Sequence, residues 1–150
     1  MATENKRKPA KDELPLIPFA SQAIWEQWLE QNHAVSNGIW LQFYKKGSGI
    51  ASVTYPEALD VALCYGWIDA QLKSIDELSY KQHFTPRRPK SIWSKRNIEH
   101  VARLTTEGRM KPTGIKQVES AKSDGRWEQA YDSPGNMVLP QDFLAELSKD

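Results

Sequence analysis

From Leu78 to Ile98 the sequence carries Lys81, Arg87, Arg88, Lys90, Lys95 and Arg96 and no acidic residue, with Tyr80, Phe84 and Trp93 interleaved. Cationic side chains neutralise phosphates and aromatic faces stack on bases, so the run suits an anionic small molecule or a nucleic acid. Arg87 and Arg88 stand between Pro86 and Pro89. A loop stiffened in this way loses less entropy when it binds. Ser91 and Ser94 precede a helix, where hydroxyls and free N–H groups can receive an anion. The candidate ligand-binding set is therefore Arg87, Arg88, Lys90, Ser91, Trp93, Ser94, Lys95 and Asn97, with Trp67 and Asp69 shaping it from a neighbouring strand. A solvated basic loop reads the same way, with its arginines paired to acidic flanks and Trp93 in the core.

Other chemistry has thinner support. Acid–base catalysis needs carboxylates in a cleft, and Glu57, Asp60 and Asp69 qualify by position. Glu57 is accounted for as a helix-capping residue, and Asp60 falls on the wetter side of the same helix. Asp69 follows a buried helix in Trp67-Ile68-Asp69. It reads as the ion-pair partner of an arginine in the basic run, or as an acid or base beside that run. Cys64 lies near the end of a buried helix, away from the electropositive setting a reactive thiolate needs. His33, His83 and His100 are far apart and none is near Cys64, so no metal-ligand spacing is present. Gly47-Ser48-Gly49 lacks the lysine-serine ending of a phosphate loop. No catalytic residue, metal or cofactor is expected.

These residues need elements to hold them. The chain has 150 residues, enough for one domain with a sizeable core. Net charge is +1, but its distribution is uneven: residues 78–111 carry nine basic and two acidic side chains, against an acidic excess on either side. One cysteine cannot build a disulfide framework, and no apolar run reaches membrane-spanning length, so a cytoplasmic protein without membrane insertion is expected. Residues 1–18 read as a disordered or extended tail, with Pro15 and Pro18 near its end. Residues 19–150 read as a single α+β domain.

Ser21 caps a helix over about 21–32 with Ile24, Trp25, Trp28 and Leu29 on its apolar face. Ile39 to Lys46 alternates as a strand, with Trp40 and Tyr44 on a second face that is also covered. Thr54, Pro56 and Glu57 open a buried helix that Gly66 stops. Trp67 to Lys73 and Tyr80 to Thr85 read as two strands joined by a turn at Asp76-Glu77. Ser91 or Ser94 starts a helix to about Glu107, and Pro112 opens another with Ile115, Val118 and Ala121 inward. A loop through Asp132-Ser133-Pro134-Gly135-Asn136 leads to a last helix from Pro140. The expected fold is α+β, a small antiparallel sheet of about three strands packed with about five helices.

Several of these stretches stand together in a recognisable order. They are Glu57-Ala58-Leu59, Ala62-Leu63-Cys64-Tyr65-Gly66-Trp67-Ile68-Asp69, Phe84 through Asn97, Gly108-Arg109-Met110 and Gly125-Arg126-Trp127. Over about residues 20–147 the chain resembles the YdeI/OmpD-associated family of bacteria. That resemblance implies a small cytoplasmic protein linked to bacteriocin protection and antimicrobial-peptide resistance, a stress response, with no assigned enzymatic activity and no catalytic residues to carry over. It also implies that a helical C-terminal extension carried by many members is missing here. Three functions stay open: a non-enzymatic anionic-ligand-binding protein, an enzyme acting on a phosphorylated or carboxylated metabolite, and a protein–protein interaction module with an unknown partner.

Overall fold

The computed structural model describes residues 13–88 and 90–130. In chain order the elements are β1 (Leu16–Pro18), α1 (Gln22–Asn32), β2 (Ile39–Tyr44), α2 (Tyr55–Cys64), β3 (Trp67–Ser74), β4 (Ser79–Pro86), α3 (Lys95–Thr106) and α4 (Pro112–Ser123), with a 3-10 turn at Lys46–Ser48. They form one sheet in the order β1-β2-β4-β3.

The α+β class holds, but the sheet differs from expectation. It has four strands, and β1 pairs parallel to β2 while the other neighbours are antiparallel. Leu16-Ile17-Pro18 is too short to show alternation, and its proline suits only an edge. Four helices are present among the described residues. The loop at 132–136 and the helix expected from Pro140 lie outside those residues.

Helix α2 is central because its sequence leaves it only a narrow wet side, at Pro56, Glu57 and Asp60. Its capping box is complete: Glu57 N–H donates to Thr54 Oγ1 at 3.4 Å, and Thr54 N–H donates to Glu57 Oε1 at 3.1 Å. Such an arrangement contributes about 1 kcal/mol. Ala58, Leu59, Val61, Ala62, Leu63 and Cys64 are all buried. Gly66, at φ 80°, turns the chain from α2 into β3.

Helix α1 packs on the same core through Trp25 and Leu29, and Trp25 Nε1 donates to Ala58 O at 3.0 Å. Ile24, expected on this face, is 46% exposed instead. Trp25 and Leu29 are four residues apart and set the buried stripe, which rotates Ile24 to its edge. In α4 the expectation fails for a related reason. Val118 and Ala121 face inward, but Ile115 does not; the third inward residue is Gly114. A Cβ at Gly114 would press on the Cys64 carbonyl and stand 2.9 Å from Leu63 O. Only glycine lets α4 approach the end of α2 this closely.

The sheet has two unequal faces. Ile39, Leu41 and Phe43 of β2 stand opposite Phe84, Gln82 and Tyr80 of β4, and all six are buried. Trp25 meets Phe84 and Trp67 edge-on, so the helices cover this face. Trp40 points to the other face and is also buried. Among the described residues Lys73 and Lys81 lie over its ring, and His83 packs beside it. Among the described residues no helix is long and apolar enough to cross a membrane.

Candidate functional site

The chain from Pro86 to Ser94 links β4 to α3 and carries three of the six basic residues of the run, Arg87, Arg88 and Lys90. Arg87 fixes this link. Its backbone N–H donates to Gly66 O at 2.9 Å, its guanidinium lies 3.8 Å from the Trp93 ring centre, and its Nη2 donates to Ile92 O at 3.0 Å. Ser91 N–H donates to Arg88 O, and Arg126 Nη1 donates to Ser91 O at 2.7 Å. Lys90 sits at φ 63°, a left-handed conformation uncommon for a side chain other than glycine. Ser94 caps α3, accepting from Asn97 N–H at 3.1 Å.

The ten candidate residues therefore divide. Arg87, Trp93, Ser94 and Trp67 are buried. Trp93 packs on Trp127 and Trp67 on Trp25, so these four shape the link and its footing. Arg88, Lys90 and Lys95 are exposed, while Ser91, Asn97 and Asp69 are half-buried. Arg96, outside the candidate set, is exposed beside Lys95 in the first turn of α3. Arg88 and Lys90 form no ion pair among the described residues.

Asp69 stands on the helix-covered face, where a polar island interrupts the core. Tyr55 Oη donates to Asp69 Oδ2 at 2.6 Å. Gln82 Nε2 donates to Ala70 O at 2.9 Å and lies 3.5 Å from the same Asp69 oxygen. Gln82 Oε1 is buried and has no partner among the described residues. A register shift between Asp69 and Leu72 frees the Ala70 carbonyl for this contact.

Burial pushes the Asp69 carboxyl above the ordinary aspartate value. The Tyr55 hydrogen bond and the charges of Arg96 and Arg87 pull the other way without cancelling that rise. Burial, then the Asp69 charge, raises Tyr55 well above the usual phenol range. The expected ion pair between Asp69 and an arginine is replaced by the tyrosine hydrogen bond. Arg96 and Arg87 act on the carboxyl through space.

Tyr55 and Gln82 are the residues sequence reasoning missed. Gln82 left a trace: it falls between Tyr80 and Phe84 in a period-two pattern, so it had to be a polar side chain on the core face. Tyr55 left none beyond its place at the start of α2.

The remaining nominal candidates are structural. Burial pushes the Cys64 thiol up to about 11, far from reactivity at neutral pH. Asp60 pairs with Arg103 at 2.7 Å and ties α2 to α3. His33 packs on Tyr65, His83 on Trp40, and His100 stands beside Arg103.

No curated protein and no solved structure matches the chain. Residues 17–117 match the family described as Domain of unknown function (DUF8412), a span that holds every candidate residue above. That span is more than half of the sequence, and the chain belongs to this family.

Proposed function

We propose that the chain is a non-enzymatic binding protein for an anionic ligand, acting in a bacterial cytoplasmic stress response of the kind implied by the YdeI/OmpD-associated resemblance. One observation carries the reading. Arg88 and Lys90 in the link before α3, and Lys95 and Arg96 in its first turn, are exposed, and that first turn holds no acidic residue. Cations at a helix N-terminus oppose the helix dipole, and a bound anion removes that conflict. The buried Arg87–Trp93 stack holds the link in place before any ligand arrives, which lowers the ordering cost.

The test is an amide NMR titration with phosphorylated metabolites and a short mixed-sequence RNA, at low and moderate salt. Saturable shifts at Arg88–Asn97, with affinity reduced at least about tenfold by Arg88→Ala plus Lys90→Ala plus Arg96→Ala, are expected. Arg87 stays intact in this variant because it holds the link. Equal binding of every anion by wild type and variant removes the reading.

A second reading, an enzyme on a phosphorylated or carboxylated metabolite, is favoured by the buried Tyr55–Asp69 contact at 2.6 Å. A carboxyl that burial raises above the ordinary aspartate value holds its proton to higher pH and can serve as a general acid beside a cationic clamp. In that case Asp69→Asn abolishes turnover and leaves ligand affinity in place.

A further inference from the structure

The sheet face turned away from the helices holds a second cluster, which plays no part in the reading above. Lys73 of β3 and Lys81 of β4 stand directly opposite each other in the antiparallel register. Like charges in that position repel and weaken the pairing. Both also converge on one ring. Lys81 Nζ lies 4.4 Å from the Trp40 ring centre, and Lys73 Nζ reaches across β4 to 5.4 Å from it.

Neither ammonium has a carboxylate partner among the described residues. Of the acidic side chains nearest in sequence, Glu77 forms no ion pair with either lysine among the described residues, and Asp69 and Asp76 are averted or committed. Asp69 is on the covered face, held by Tyr55. Asp76 Oδ1 accepts from Leu78 N–H, Ser79 N–H and Ser79 Oγ, which closes the β3–β4 turn. Gln42, opposite Lys81 on its other side, gives its amide to Ser79 Oγ at 3.1 Å.

A tryptophan ring attracts both cations and partly offsets their repulsion, but it carries no net charge to neutralise them. The site thus keeps two positive charges fixed over a rigid aromatic floor, on strands whose spacing the sheet sets. Because the Trp40 ring is buried, a base has no free aromatic face here to stack on, which argues against a nucleic-acid strand and for a compact anion.

We infer that Lys73 and Lys81 over Trp40 form a clamp for the diphosphate group of a small molecule, one phosphoryl group to each ammonium. The site is separate from the α3 start: it lies toward the β3–β4 turn, and on the opposite face of the sheet from Asp69.

The test uses the full chain, labelled with nitrogen-15, titrated with inorganic pyrophosphate against sodium chloride at matched ionic strength. The expected result is a saturable shift of the Trp40 indole N–H and of the Lys73 and Lys81 amides. Lys73→Gln plus Lys81→Gln should weaken binding at least about tenfold, since two charge-assisted contacts are lost. Arg88→Ala plus Lys90→Ala should weaken only pyrophosphate-induced shifts at Arg88–Asn97 and leave the Trp40 indole titration as in wild type, so failure of the α3 site and failure of this one read differently. Lys73→Gln alone, with an otherwise wild-type spectrum, guards against a folding defect and should weaken binding in the same direction. An unmoved Trp40 indole, equal pyrophosphate affinity at that indole in the double lysine variant, or binding of a short single-stranded oligonucleotide without pyrophosphate binding each overturns the inference.

Discussion

Replacing Arg87 with alanine removes the guanidinium that lies 3.8 Å from the centre of the Trp93 ring and donates to Ile92 O at 3.0 Å. A hydrogen bond from a charged donor contributes about 1.5–3 kcal/mol. A desolvated cation–π contact adds up to about 2 kcal/mol. The side chain is only 6% exposed, so its removal also leaves a gap under the link. All these terms belong to one group and do not simply add. A net loss of about 3 kcal/mol follows. The assay is urea unfolding followed by tryptophan fluorescence. With a slope of about 2 kcal/mol per molar urea, the midpoint should fall by about 1.5 M. Arg88→Ala, one residue along and exposed, should change stability by less than about 0.5 kcal/mol. Arg87→Lys should recover only part of the loss, because an ammonium cannot stack and donate in the same plane. An Arg87→Ala variant within 0.5 kcal/mol of wild type, by the same yardstick for surface substitutions, refutes the claim that this arginine holds the link.

Two further outcomes test the packing and the polar island. Gly114→Ala drives a Cβ against the Cys64 carbonyl, with Leu63 O 2.9 Å away; it should cost about 3 kcal/mol and lower the thermal midpoint, and an unchanged melt would show that α4 can move off α2 freely. Asp69 is raised above its unfolded value of 3.8, so the folded state holds its proton more tightly than the unfolded state does. Its burial is therefore free of electrostatic cost below about pH 4 and costs stability as pH rises from there through the folded value. Asp69→Asn lacks this cost, so wild type should lose stability relative to the variant between pH 4 and pH 7 in paired urea titrations. A gain for wild type over that range would mean that the carboxylate is stabilised as an anion.

Local rules carry over to the structure wherever the deciding partners are close in sequence. Thr54 and Glu57 are three residues apart, and their capping box forms as their spacing implies. Ser94 likewise meets Asn97 N–H, and Asp76 closes the turn between β3 and β4. The basic run was legible as a charge pattern, and Arg88, Lys90, Lys95 and Arg96 within it are exposed. Periodicity failed at Ile24 and Ile115 because it assigns a helix face only to within a residue or so. The neighbour that settles the rotation, α2 in both cases, comes from elsewhere in the chain.

By itself the sequence left the start of α3 between Ser91 and Ser94 but determined the α+β class, the start and stop of α2, the stop of α3, the β3–β4 hairpin and the position of the cationic segment. Each depends on hydrogen bonds or side-chain spacing within a few residues. Tertiary structure alone decided which arginine of Arg87-Arg88 turns inward, that β1 joins the sheet, that Asp69 meets Tyr55, and that Lys73 and Lys81 share the Trp40 ring. Each of those depends on a surface supplied by a distant segment, and no spacing along the chain encodes where that surface will stand.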